Sequence, residues 1–361
     1  MTMRPSRLLR TRVRACRAQR GFTLLEAVVA VMLLGIVSVM LSPTFRTLMT
    51  AKDQSYKERA ALVNTKIAQA MLDWAEQQST NGMLPDPVNQ RIAGGINYGP
   101  ADPATAGTGT AYDYIIAQGV PASEVLVDSS AQQRVRVYQR TPDLFFTTPF
   151  YFQSGPQVTL RYQFGAVYQS TCNKTGTCNG GTQIPSGGST LLDDTNYTTW
   201  APNLNLVRSP AVFSNLPLQK KMLAMTTERM DRVRDALTTF YRARVLSASA
   251  SDTTNWYPAP TGTGAANLSG NSPALNQGCY DGWYQLYASN VNVLEQLGLS
   301  KEEFSRTAWG GLIEYCRDYD PLAGGANTAP HYAAIRIRKD VGASNGLGGD
   351  SLAANNIILS F

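Results

Sequence analysis

Residues 21–42 read GFTLLEAVVAVMLLGIVSVMLS. This apolar run has the roughly 20 residues that a helix needs to cross a bilayer; it is entered through Arg20 and broken by one charge, Glu26. A lone carboxylate in hydrocarbon costs about 2.5 kcal/mol or more near the centre, so Glu26 requires a partner. Arg4, Arg7, Arg10, Arg12, Arg14, Arg17 and Arg20 crowd the segment ahead of the run, and such an excess of cations keeps that end cytoplasmic. The run is followed by LSPTFR and no small-x-small cleavage site. It therefore reads as a retained anchor rather than a secretory signal that is removed, with the rest of the chain across the membrane.

The stretch RGFTLLE, residues 20–26, resembles the prepilin signature G-F-T-L-x-E of type IV pilins and type II secretion pseudopilins. The resemblance implies that a membrane prepilin peptidase cuts between Gly21 and Phe22 and N-methylates Phe22, and that Glu26 is the family's assembly acid. Gly35 and Pro43 correspond to its helix-loosening positions. The implied partners are the prepilin peptidase/methylase, other pilins or pseudopilins through the stem, an inner-membrane assembly platform and, before assembly, membrane lipid. The implied location is the bacterial inner membrane, single-pass with the head in the periplasm, and then a filament that can reach the cell surface. Physics supplies the same pairing. A free α-amine has a reference pKa of about 8, so the amine of Phe22 can neutralise Glu26 of a neighbour, and an opposite charge nearby favours the ionised carboxylate.

Charge counting changes once the leader, residues 1–21, is set aside. The chain has 32 Lys+Arg against 26 Asp+Glu, a net charge of +6; the leader holds seven of the Arg and no acid, leaving 25 against 26, a net of −1. The basicity belongs to targeting, and the mature surface has no nucleic-acid footprint. Cys16 leaves with the leader. Cys172, Cys178, Cys279 and Cys316 remain, an even number facing an oxidising periplasm, which reads as two disulfides. Of the three possible pairings, Cys172 with Cys178 and Cys279 with Cys316 are favoured. Thiol zinc lacks a C-x-x-C pair and has one histidine to draw on, so no metal is expected.

Beyond the anchor, apolar residues at Tyr56, Ala60, Val63, Ile67, Ala70 and Trp74 step by four and three, which continues the helix to about Gln78. At 1.5 Å per residue, 22–78 spans about 85 Å, with Pro43 placed to kink or loosen it. The head then repeats itself in four blocks. KIAQAMLDWA from Lys66 matches RVRDALTTFY from Arg232, GMLPDP matches NWYPAP through Pro85 and Pro258, IIAQGV parallels VLEQLGL through Gly119 and Gly298, and VTLRYQF parallels YAAIRIR. NWYPAP and AWGGLIEYC also resemble the Y-P and W-G-x-x-x-x-Y elements of pseudopilin heads. The expected fold is α+β: a long N-terminal membrane-spanning helix, the pilin stem, followed by two tandem pilin-like lobes of helix plus antiparallel sheet. The expected divisions are a leader 1–21, a stem 22–78 with 22–42 transmembrane, a first lobe 79–168, a Gly/Ser/Thr-rich linker 169–218 and a second lobe 219–361.

Chemistry finds no constellation. G-x-S-x-G, H-E-x-x-H and Walker patterns do not occur, and His331 is the one imidazole; neither an enzyme nor a cofactor is expected. Thr307 and Ala308 stand where pseudopilins carry Asp-Pro before Trp-Gly, so Asp318 and Asp320 read as an exposed acidic turn rather than a calcium site. Trp256, Tyr257, Trp283, Tyr284 and Tyr287 read as core packing before a sugar-binding face. The expected function is that of a minor pilin-like structural subunit of a bacterial type IV pilus, tip-proximal, acting in filament initiation or adhesion through a surface ligand that no motif identifies. The alternative is a minor pseudopilin of a type II secretion system acting in protein export.

Overall fold

A computed structural model of the chain describes residues 24–92, 95–99, 110–125, 134–151, 153–173, 192–200, 210–260, 276–322 and 328–361. The chain divides into two units, Met1–Tyr56 and Lys57–Phe361.

Helix α1, Leu24–Ala75, begins in the first unit. It runs without interruption through Gly35 and Pro43, although proline has no N–H for the carbonyl one turn back. Thr47 and Thr50 donate their hydroxyls to the carbonyls of Pro43 and Arg46, both at 2.8 Å. Among the described residues no helix is long and apolar enough to cross a membrane. Gly21, Phe22 and Thr23 lie outside those residues, as do the side chains of 24–26 and 38–42. The described part of the apolar run, 27–37, is shorter than the roughly 20 residues a span requires.

In the second unit the three-and-four spacing of α1 turns inward: Ala60, Val63, Ile67, Ala70 and Met71 are buried, as helical periodicity predicts. The helix stops at Ala75 rather than 78. Gln78–Thr80 tighten into a 3-10 turn, Thr80 donates to the Ala75 carbonyl at 2.8 Å, and Asn81 and Gly82 turn left-handed at φ 54° and 73°. Gly82 is needed there for space as well, since a Cβ would sit 2.5 Å from Gln219 Nε2.

There follow a β-hairpin, β1 (Val88–Ile92) with β2 (Gly95–Gly99), and two short helices, α2 (Ala111–Ala117) and α3 (Ala122–Val125). Next come β3 (Arg134–Arg140), the hairpin β4 (Leu144–Pro149) with β5 (Gln157–Tyr162), then β6 (Phe164–Asn173) and β7 (Ala211–Ser214). Helix α4, Leu216–Val245, starts with a proline in its first turn, where the missing N–H costs nothing. After it come β8 (Tyr284–Gln285), α5 (Val293–Gln296), α6 (Lys301–Phe304), β9 (Glu314–Cys316), β10 (Ala334–Arg338) and β11 (Asn356–Ser360). Two of the sheets have the orders β3-β6-β7 and β11-β10-β9-β8, and every named pairing is antiparallel. The expected α+β content with an N-terminal helix is what the structure shows; two separate lobes are not shown, because residues 57–361 form one compact unit.

The packing explains why. One apolar cluster joins Val63, Ile67 and Met71 of α1 to Ile115, Tyr138 and Val167. A larger one gathers Leu223, Val233 and Leu237 of α4 with Trp309, Tyr315 and Ile335, and it also takes in Phe150, Val158 and Leu160 of the β4–β5 hairpin. A boundary at 168 therefore cuts through a core. Strand β5, matched by sequence to β10, lies on α4; the strand beside β3, as β10 is beside β9, is β6. The span expected to be linker, 169–218, gives its ends to order: Gln169 and Ser170 are buried in β6, and β7 pairs with β6.

Buried amides tie these parts together. Gln163, between β5 and β6, donates its N–H to Asn215 Oδ1 at 2.6 Å and accepts from the Leu84 N–H at 2.9 Å. Asn215 Nδ2 donates to the Gly82 carbonyl at 2.6 Å, and Gln219 Nε2 to the Asn81 carbonyl at 3.1 Å. The Trp309 indole N–H donates to Gln219 Oε1 at 2.7 Å. Each of these groups would be costly if left unpaired away from water.

Gln219→Ala strands the Trp309 N–H and the Asn81 carbonyl, and should lower stability by about 2 to 4 kcal/mol, read as a reduced urea midpoint at unchanged slope. Cys279 and Cys316 are bonded with 5.8 Å between their Cα atoms and 37 residues between them in sequence. Loop-closure entropy for that separation is about 4 kcal/mol, so a Cys279→Ser/Cys316→Ser protein should melt on the order of 10 °C lower by circular dichroism.

Candidate functional site

The first unit presents a surface with nothing of its own to bury it. Val28, Val29, Val31, Met32, Leu33 and Leu34 each expose between 46 and 69 per cent of their surface, and Phe45, Leu48 and Met49 expose 61 to 69 per cent. Consecutive residues on a helix point all around it, so this is an apolar cylinder rather than an amphipathic stripe. Large exposed apolar area marks a contact with lipid or with other proteins. Gly35 has open space where a Cβ would stand. The backbone of Glu26 belongs to α1; its side chain, like the cleavage position at Gly21 and Phe22, lies outside the described residues.

Within the second unit, α1 is fastened by one cation. Arg136 of β3 is 2 per cent exposed and pairs with Glu124 Oε2 at 2.9 Å. It also donates to the Glu124 carbonyl at 3.1 Å and to Asn64 Oδ1 on α1. Arg59 of α1 adds a pair to the other Glu124 oxygen at 3.2 Å. Sheet, stem and α3 thus converge on one partly buried carboxylate, in the strong class of charge-assisted bonds.

The C-terminal sheet carries a second buried pair. Arg336 Nε donates to Glu314 Oε2 at 2.6 Å; the two residues face each other in the β10–β9 register, and the guanidinium stacks 4.2 Å from the Trp283 ring. Burial pulls the Arg336 guanidinium below its ordinary range, a fall that Glu314 beside it opposes. Gly348 and Gly349 pass so close that a Cβ would meet Glu314 and Arg336 at 2.3 and 2.4 Å. The favoured disulfide Cys279–Cys316 forms beside this pair, Cys316 closing β9. Cys172 ends its course in β6, and its expected partner Cys178 lies outside the described residues.

One expectation is corrected here: Asp318 is not part of an exposed turn. It is buried, with both carboxylate oxygens 3.2 Å from His331 Nδ1, and His331 Nε2 lies 2.9 Å from the Thr253 carbonyl. Asp318 and His331 meet because both lie in the β9–β10 connection, which closes on itself with the Tyr319 N–H donating to the Tyr332 carbonyl at 2.8 Å. Thr307 and Ala308 also have protein partners, the Thr307 hydroxyl accepting from Gly311 and the Ala308 N–H donating to Thr226 Oγ1, both at 3.0 Å. Among the described residues no group of His, Cys, Asp and Glu is placed to hold a metal. Trp283 and Tyr257 are core residues as expected, whereas Tyr287 is half exposed with the Arg306 guanidinium over its ring.

Arg136→Met should cost about 2 to 3 kcal/mol and, in hydrogen exchange, loosen residues 59–67 and 122–125 before the C-terminal sheet; loss confined to that sheet would contradict the clamp.

No curated protein and no solved structure matches the chain. Residues 16–42 match the prokaryotic N-terminal methylation motif, the type IV pilin/pseudopilin signal, and that motif implies processing by prepilin peptidase and assembly with other pilins. Residues 16–42 thus carry the N-terminal methylation motif that marks type IV pilin-like and pseudopilin proteins.

Proposed function

We propose that the chain is a minor, tip-proximal subunit of a bacterial type IV pilus, anchored in the inner membrane through 22–42 with its head in the periplasm until it is assembled. Its part is structural, in filament initiation or adhesion, rather than enzymatic. What supports the reading is a likeness between two parts of the head. With the β4–β5 hairpin set aside, the order β2-α2-α3-β3-β6-β7 resembles β8-α5-α6-β9-β10-β11. Buried Tyr138 of β3 donates its hydroxyl to the Pro85 carbonyl at 3.0 Å, and buried Tyr315 of β9 to the Pro258 carbonyl at 3.1 Å; burial pushes both phenols up, keeping them neutral donors. Gly119 and Gly298 close α2 and α5 at φ 71° and 68°, and the residue after each bonds back five positions, Val120 to Ile115 and Leu299 to Leu294.

Two modules per stem suit the end of a filament better than its shaft, where every stem brings one head and close neighbours leave room for no more. The exposed apolar helix of the first unit supports both phases of the life cycle, lipid first and then other stems. Glu26 against a neighbour's N-terminal amine supplies the ordering charge pair.

Mass spectrometry of the mature chain should find N-methylated Phe22 at its start, and Glu26→Gln should be processed but left out of filaments. Immunogold labelling of the head should decorate pilus tips, with a deletion strain's exoproteins unchanged. Label held in the envelope together with lost protein export would instead mean a type II secretion pseudopilin.

A further inference from the structure

The two modules differ along one seam, and the difference is systematic. In the first, α1 is closed against α2 and α3 by three contacts. Arg59 pairs with Glu124 at 3.2 Å, Gln118 Nε2 donates to Asp73 at 2.7 Å, and Lys66 Nζ lies 3.6 Å from where a Gly119 Cβ would stand. Carried through the repeat, those positions are Met225 with Glu303, Leu297 with Thr239, and Arg232 with Gly298. None of the three is closed. Met225 and Glu303 line one cleft of about 590 Å³; Leu297, Thr239 and Gly298 line a second of about 430 Å³; and Arg232 and Asp235 line both. Nothing lies within 4 Å of a Cβ built on Gly298.

The clefts follow α4 from Met225 to Phe240, about 22 Å of helix. Their walls include Phe240, Leu297, Leu299 and Phe304, and Met225 is 38 per cent exposed. Charge says what is missing. Glu124 in the first module has two cations, Arg59 and Arg136; at the matching places around Glu303 stand Met225 and Ile313. The acid is kept without the two matching cations, and Glu303 makes no ion pair among the described residues; the cleft around it carries Arg229 and Arg232 against Glu228, Asp231, Asp235 and Glu303, which leaves its lining negative.

We infer that the groove between α4 and α5–α6 is a docking site for an amphipathic segment of a partner protein, with apolar side chains along the groove and a Lys or Arg at the Met225 end that pairs with Glu303. The partner's cation replaces what Arg59 does in the first module. The choice of positions rests on the duplication read above.

The test uses the full chain in phosphatidylcholine nanodiscs, with fluorescence anisotropy of labelled leucine–lysine and leucine–glutamate amphipathic peptides of about 16 residues, long enough as helices to span about 22 Å, and empty nanodiscs as background. The lysine peptide should bind at least about tenfold tighter than the glutamate peptide, and Glu303→Lys should reverse that preference. Transplanting the first module's closure, Met225→Arg/Thr239→Asp/Leu297→Gln, should weaken the lysine peptide at least about tenfold with the unfolding midpoint retained. Equal binding of both peptides, or full binding by the folded triple variant, overturns the docking site. Concentration-dependent self-association that the triple variant abolishes also overturns it, giving the groove to a second copy. An unfolded triple variant marks the positional correspondence, and hence the duplication, as wrong, and Glu303→Lys alone then decides the groove.

Discussion

Asn215, Gln163 and Gln219 are three buried amides on which the second half of the head depends for its position. They occupy the place where the turn after α1, the junction of β5 with β6, the start of α4 and the Trp309 loop all meet. An amide offers donors and acceptors at fixed angles, so satisfying them all admits few arrangements, whereas an apolar contact tolerates sliding. Asn215, the residue before α4, and Gln219, one turn on, reach consecutive carbonyls, Gly82 and Asn81. The left-handed turn that ends α1 is thereby read directly by the helix that begins the next module.

The two units solve opposite problems with one helix. In 57–75 one face of α1 is covered and the rest is mostly polar, with Leu62 exposed, which is the ordinary economy of a globular protein. In 27–37 and 43–49 the large apolar side chains stand exposed and the helix is complete only in other company. Pro43 sits in this portion, where its missing donor leaves the ladder one bond short.

Much of this was legible in the chain because it obeys local rules. The step of four and three through Ala60, Val63, Ile67 and Ala70 gave the buried face of α1, and Gly119 and Gly298, matched in sequence, both close short helices at positive φ, a backbone few other residues accept. Cys279 and Cys316 were a favoured pair among the three pairings that four thiols allow, and they are bonded. What escaped depends on distant partners. Arg136 and Arg336 look like surface cations until a sheet register brings Glu314 opposite Arg336 and packs α1 over Arg136. Asp318 reads as a loop acid until His331 arrives. The alternation of VTLRYQF correctly announced a strand but contains nothing to say which core it would face, and it faces the farther one.

The β4–β5 hairpin has a consequence for biogenesis. Its Phe150, Val158 and Leu160 are made before α4 but are buried only once α4 exists. During synthesis and export, the first module therefore carries an adhesive apolar surface until the second emerges, and a chain cut short before Leu216 never loses it. Folding of the two halves is thereby coupled in one direction, because the N-terminal half has this surface covered only when the C-terminal half is complete.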